Sequence, residues 1–531
     1  MFATNSTAAT SVNLGSLTNG QTYFWHVRSI GAGGTSSYSG CFTFSVAGTP
    51  PPPGSTVQLT LQPQTFQAWE AWRGLLSGPN FMDNLRVDRN APVAVINSAL
   101  DDLANDLGIN GVRYNLHFMQ HIELTNDNSD PFVINWSGFD FARSFVPDAN
   151  FASVDPVERM KQMILPLRQR VLARGEPFSL YVTLGYSKTG FGGMPAFWLS
   201  DPREYAEMAQ ACIEWMQNKS PSPPGFSVPS TFAPDYWTIV NEPDGTAGFV
   251  AADIAALIPA VGSRFASMGI NTKIQTTETV FANATFLNNV LTAPNVSQYV
   301  GLVSFHGYDY SANPKPSTFA ARNDARTKAQ ALSTALGRTI HTGMTEICCH
   351  SGWNGSYFNA LGLARDIYWN MTEGDVSIWE AFGLLNACTT LGCTGSSNET
   401  PLALDADLSK TIKLPVYYGM RQYSHFIRPN DVRVGMTCTM NCPLPDPALG
   451  AVVKPVAFRS PGGKIVVVVI NDQTAAQSIS LLGLPAGTYD ITGVDPGNAQ
   501  SPVTYPVQAI LAGQALTVTF PAQSILTFAQ R

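Results

Sequence analysis

Pro234-Asp235-Tyr236-Trp237-Thr238-Ile239-Val240-Asn241-Glu242-Pro243-Asp244 reads as one strand and its exit. The Pro-Asp pair forms a turn. The five residues after it are all aromatic or β-branched, without polar–apolar alternation, which is how a strand covered on both faces reads. Asn241 and Glu242 stand where the strand should end, and Pro243 bars further pairing in a central ladder. The stretch therefore predicts an amide and a carboxylate at the carboxyl end of a buried parallel strand. In a (β/α)8 barrel that end is the catalytic rim. On this stretch alone, the plain alternative for Glu242 is a cap on the following helix.

A second stretch changes the balance. His341-Thr342-Gly343-Met344-Thr345-Glu346-Ile347-Cys348-Cys349 again ends a short strand-like run on a glutamate, about a hundred residues later. Breaking a glycosidic bond requires protonation of a poor leaving group and an anion facing a cationic transition state, so two carboxyls on opposite sides of one cleft suffice. Asn-Glu-Pro together with Thr-Glu resembles the acid/base and nucleophile stretches of retaining glycoside hydrolases of clan A, and within it family 30. The resemblance covers residues 56–531.

It implies that Glu242 is the acid and base and Glu346 the nucleophile. It further implies that Asn241 hydrogen-bonds the sugar 2-hydroxyl and that Arg113, at the second strand, keeps Glu346 ionised. His306 and Tyr308 match the family's rim His and Tyr. Trp379 or Phe382, on the eighth strand, should floor the sugar subsite. Where the family carries Gly-Phe-Gly-Gly after its first strand, this chain has Ala68-Trp69-Glu70-Ala71-Trp72, which alters that end of the cleft.

In chain order, residues 1–47 look like the second half of a fibronectin type III sandwich, and 48–55 are a Pro-rich linker. Residues 56–64 alternate as a strand joining a side β-domain. Residues 65–411 carry the barrel, with Thr65–Gly74 as its first strand and rim. Further strands are expected near 111–116, 178–184, 273–277, 300–308 and 376–382. Residues 412–531 read as a helix followed by strands between Gly, Pro and Asn-Asp turns, a side β-sandwich. Aromatic residues Trp69, Tyr186 and Trp198 sit in rim loops where they can stack on sugars or serve as packing. Glu278, at the end of the fifth strand, is a rival carboxylate in a less specific context.

A net charge of −7 argues against nucleic acid or anionic membrane as partner. No apolar run is long enough to span a bilayer. The N-terminus lacks the basic and apolar regions of a signal peptide as given. Among eight cysteines, Cys388/Cys393 and Cys438/Cys442 are spaced for small local disulfides or are free thiols, and Cys348-Cys349 read as packing residues. No cysteine pair has His neighbours at zinc spacing, so neither a metal nor another cofactor is expected.

The chain is thus expected to be a monomeric, extracellular hydrolase of β-linked plant cell-wall polysaccharide, most of all xylan. Competing readings are β-1,6-galactanase, β-1,6-glucanase or glucosidase activity of the same family, an arabinofuranosidase or endoglucanase of the clan, and a non-catalytic carbohydrate binder. A serine hydrolase is disfavoured, because no Gly-x-Ser-x-Gly follows a strand.

Overall fold

A computed structural model describes residues 22–25, 28–32, 34–36, 42–45, 56–76, 91–117, 123, 125–139, 160–185, 187–188, 193–220, 232–245, 247–308, 316–348, 356–388, 390–393, 400–442 and 452–531. Eight parallel strands form the barrel: β1 (Ala71–Gly74), β2 (Gly111–His117), β3 (Ser179–Gly185), β4 (Tyr236–Thr238), β5 (Lys273–Thr279), β6 (Val300–Phe305), β7 (His341–Met344) and β8 (Val376–Ala381). They pair in the order β1-β8-β7-β6-β5-β4-β3-β2. Helices between them shield the outer face, among them Pro202–Met216, Ala251–Ser267 and Tyr357–Glu373.

The barrel closes between β1 and β2, where a single bridge joins Leu75 to Arg113. Below it the Asn110 side chain substitutes for a ladder. Its Oδ1 accepts from Trp72 N at 2.8 Å. Its Nδ2 donates to the carbonyls of Glu70 and Pro177 at 3.2 and 3.3 Å. One buried amide thus satisfies backbone groups that a four-residue strand leaves open.

The second domain is a β-sandwich. Nine strands hydrogen-bond in the order Val503–Ile510, Gly487–Val494, Ser524–Gln530, Ile465–Asn471, Val453–Arg459, Val432–Met440, Val57–Ala68, Gln477–Leu482 and Leu516–Phe520. They fold over an apolar core that includes Leu59, Val467, Val469, Ile479, Tyr489, Phe520 and Phe528. Strand Val57–Ala68 comes from the front of the chain and lies antiparallel to Val432–Met440 and parallel to Gln477–Leu482. Its twelve residues correct the reading of Thr65–Gly74 as one barrel strand. Pairing with the sandwich continues to Ala68, and the barrel strand begins only at Ala71. At the other boundary, Thr411–Lys413 pairs with Leu402–Leu404 beside the barrel, and the sandwich strands start at Val432.

Near the N-terminus, Thr22–Trp25 pairs with Phe42–Ser45, and Ile30–Gly31 with Gly34–Thr35. Two disulfides join Cys388 to Cys393 and Cys438 to Cys442. Cys348, expected as a packing residue, is disulfide-bonded. No helix among the described residues is long and apolar enough to cross a membrane.

Replacing Asn110 by Ala should lower barrel stability by about 2–4 kcal/mol, since several buried backbone groups lose their partner. Urea unfolding followed by tryptophan fluorescence reads this. An unchanged midpoint would show that the amide does not close the barrel.

Candidate active site

Side chains pointing into the barrel lie in layers. The lower layer is Ala71, Tyr181, Tyr236, Leu302 and Ile378, all buried. Above it the interior is ionic rather than aliphatic: Arg73, Arg113, Glu278 and Glu380 are each at most 1 % exposed. Arg73 lies over the rings of Tyr181 and Tyr236 at 4.8 and 5.4 Å, a contact that favours a desolvated cation. Arg73 Nε is 3.8 Å from Glu380. Burial pushes the Glu380 carboxyl up to about 8, with Arg113 and Arg73 opposing.

The mouth is built by residues just past the strand ends. Arg113, on β2, is fully buried and acts as a fork. Its Nη1 donates to Glu346 Oε2. Its Nη2 donates to Asn241 Oδ1 at 2.5 Å, and its Nε to Asn115 Oδ1 at 2.7 Å. The other oxygen of Glu346 accepts from the Tyr308 hydroxyl at 2.7 Å. Both oxygens of Glu346 therefore face donors, an arrangement suited to an anion. That anion in turn raises the Tyr308 phenol, after burial as the main cause. Arg113 occupies the Asn241 oxygen, so the NH2 of that amide is the group left for a ligand.

Glu242 differs. Its side chain is 21 % exposed. One oxygen, Oε1, lies 2.9 Å from His306 Nδ1. Donor atoms of Glu242, His306 and Glu346 all fall within 4.8 Å of one another. A cation could use this spacing, yet Arg113 already supplies positive charge there. Glu242 and Glu278 both have positive φ, 46° and 53°, and Glu242 N donates to Glu278 O at 3.1 Å. Left-handed backbone is costly for a residue with a side chain, and such positions cluster at functional sites. Asp244 then accepts from Val280 N and Asn283 Nδ2 at 2.9 and 2.8 Å, tying the two loops together.

Glu278 belongs to this cluster as a buried support. Tyr181 and Thr183 hydroxyls donate to its two oxygens at 2.5 and 3.0 Å. His306 Nε2 lies 3.4 Å away and Arg113 Nη2 3.9 Å away. Burial works against its charge, but Arg113, His306 and Tyr181 outweigh it and hold the carboxyl below its usual range. For His306 burial likewise opposes charge, and Glu346, Glu242 and Glu278 overcome it, so the imidazole is pushed up to about 10.

Thus Arg113, Asn241, Glu242, His306, Tyr308 and Glu346 come together at one mouth. Three expected aromatic platforms do not. Trp69 is 1 % exposed and packs edge-on against Phe458 of the sandwich, because it precedes β1 at the opposite end of the barrel. Trp198 is fully buried, with Nε1 donating to Glu123 at 3.2 Å. Trp379 is also fully buried, donating to Asp366 Oδ2 on helix Tyr357–Glu373 at 2.8 Å. Strand alternation explains it: Ile378 and Glu380 face inward, so Trp379 faces the helix. Tyr186 lies outside the described residues. Glu278 was visible in sequence only as a possible rival, since its role depends on hydroxyls from β3.

Residues 432–528 match the family model described as the glycosyl hydrolase family 30 beta sandwich domain. No curated protein matches the chain by sequence. Solved structures share its fold. The catalytic domain of GH30 xylanase C from Talaromyces cellulolyticus is 17 % identical, with a TM-score of 0.62, covering 89 % of this chain and 100 % of that one. A GH30 endoxylanase from Clostridium papyrosolvens C71 is 16 % identical, with a TM-score of 0.58, covering 90 % and 100 %. An endo-β-1,6-glucanase is 13 % identical, with a TM-score of 0.57, covering 91 % and 94 %. The family model thus covers the sandwich, and the solved structures share the fold of barrel and sandwich together.

Replacing Arg113 by Met removes the shared cation and should destabilise the protein by about 3–5 kcal/mol. Glu278 and Glu380 would then hold protons more tightly when folded than when unfolded. The folded state binds more protons, so stability falls as pH rises. Urea midpoints should show a larger deficit at pH 8 than at pH 5; equal deficits would mean that Arg113 is not their counter-charge.

Proposed function

From a chain that joins a family 30 β-sandwich to a barrel of the same fold, we propose a retaining glycoside hydrolase with Glu346 as nucleophile and Glu242 as acid and base. The observation that carries this reading is the approach of the two carboxylates, with donor atoms within 4.8 Å. Retaining enzymes hold their carboxyls about 5–5.5 Å apart, whereas inverting enzymes need roughly 6.5–9.5 Å to admit a water.

Glu346, held by Arg113 and Tyr308, attacks the anomeric carbon. Glu242 protonates the departing oxygen. The glycosyl-enzyme ester is then cleaved by water, from which Glu242 takes a proton. The Asn241 NH2 meets the sugar hydroxyl next to the anomeric carbon, a contact that strengthens as positive charge develops. Phe382, one residue past β8, is the aromatic we assign to floor the sugar subsite.

The substrate we propose is a β-linked plant cell-wall polysaccharide, xylan first. Two similar structures are described as xylanases. A β-1,6-glucan is the second reading, because another neighbour is described as an endo-β-1,6-glucanase. The disulfides fit an oxidising, extracellular setting. The oligomeric state we propose is a monomer.

Glu346→Ala and Glu242→Ala should each cost at least about a thousandfold in turnover. Azide should restore activity in Glu242→Ala on an activated substrate, giving a β-glycosyl azide. Proton NMR of early products should show the substrate's anomeric configuration. A polysaccharide panel identifies the glycan. Near-normal activity in either variant, or an inverted product, would overturn the assignment.

A further inference from the structure

The two-carboxylate reaction makes no direct use of two buried groups, His306 and Glu278. Neither is exposed, so neither is placed to touch substrate. They are nevertheless linked in series to Glu242. Glu278 Oε1 lies 3.4 Å from His306 Nε2, and on the other side of the ring Nδ1 lies 2.9 Å from Glu242 Oε1. We propose that Glu278 is a positioning residue that keeps a proton on each nitrogen of His306, so that Nδ1–H donates to Oε1 of Glu242 and the catalytic proton is confined to Oε2. The inference rests on the glycosidase reading and deepens it by assigning which oxygen performs the acid step.

The chemistry follows from counting donors. A neutral imidazole has one N–H and one acceptor nitrogen, so it can receive the Glu242 proton and hold it on the wrong oxygen. An imidazolium has two donors and no acceptor. It can only donate to Oε1, which leaves Oε2 as the oxygen that carries the proton toward the leaving group. After that proton departs, the same Nδ1–H stabilises the carboxylate that must later act as base.

The groups around the ring favour the charged form. They are Glu242 beyond β4, Glu278 on β5, and Glu346 beyond β7, whose Oε1 is 3.9 Å from Nδ1. Further out are Arg113 on β2, Tyr181 on β3, Tyr308 beyond β6 and Glu380 on β8. Three carboxyl groups adjoin the imidazole, Glu346, Glu242 and Glu278, and they push its titration up to about 10 despite complete burial. Glu278 is the one among them that the mechanism neither protonates nor esterifies. It is anchored by Tyr181 and Thr183, so its charge persists through the whole cycle.

The test compares wild type, Glu278→Gln and Glu278→Asp. Imidazole ¹⁵N shifts, with His306 assigned by its loss in His306→Gln, report ring protonation without any substrate. Wild type should be doubly protonated at pH 8, Glu278→Gln should titrate about two pH units lower, and Glu278→Asp should stay close to wild type. In kcat/KM, Glu278→Gln should lose about a hundredfold on a glycoside with a poor leaving group. On the dinitrophenyl glycoside, which needs no proton, it should lose less than about threefold. A neutral His306 in wild type at pH 8 overturns the proposal even if Glu278→Gln does not fold. So does an unchanged titration in Glu278→Gln, or an equal loss on both substrates. If no glycoside is cleaved by wild type, the functional reading fails instead, while the ring titration still decides the role of Glu278.

Discussion

The buried guanidinium of Arg113 is the interaction on which the site depends. It lies inside a barrel whose middle layer holds carboxylates, where an uncompensated charge is costly. One planar cation reaches Glu346, Asn241 and Asn115 through separate nitrogens. The geometry uses what distinguishes arginine from lysine: a rigid fork with donors in fixed directions. Because the fork is inflexible, the spacing between the ends of β4 and β7 is set by β2. A lysine would neutralise charge there without fixing that spacing.

The charges balance in alternation. Two cationic groups, Arg113 and His306, alternate with the carboxyl groups of Glu278 and Glu346. The polar middle layer explains why aromatic Tyr181 and Tyr236 replace aliphatic side chains beneath it. Each offers a ring face to Arg73 and a hydroxyl to a carboxylate, Tyr181 to Glu278 and Tyr236 to Glu70.

Much of this was legible in the chain. The unbroken Tyr-Trp-Thr-Ile-Val run before Asn241 marks a strand buried on both sides, and Pro243 marks its end. The grouping of Arg113, His306 and Tyr308 with the two glutamates was implied by the resemblance to the family. The aromatic assignments failed for more than one reason. A tryptophan near a rim motif looks the same whether it faces the cleft or a helix, and only strand parity separates the two. Trp379 stands between Ile378 and Glu380, hence on the other face. Trp69 failed because Val57–Ala68 keeps pairing with the sandwich past the point where local sequence suggests a new strand. Glu278 was undervalued because its partners Tyr181 and Thr183 lie nearly a hundred residues away and show no local signature.

Strand Val57–Ala68 has a consequence for biosynthesis. It leaves the ribosome early, yet its neighbours on either side, Val432–Met440 and Gln477–Leu482, are among the last segments made. At translation rates of about 5–20 residues per second, this edge waits roughly twenty seconds to over a minute for a partner. During that interval β1 is held in register by the Asn110 side chain, by the Leu75–Arg113 bridge to β2 and then by pairing with β8, while Val57–Ala68 still lacks its strand partners. The proline within this strand, Pro63, suits that delay, since it lacks an N–H and discourages pairing with a neighbouring chain.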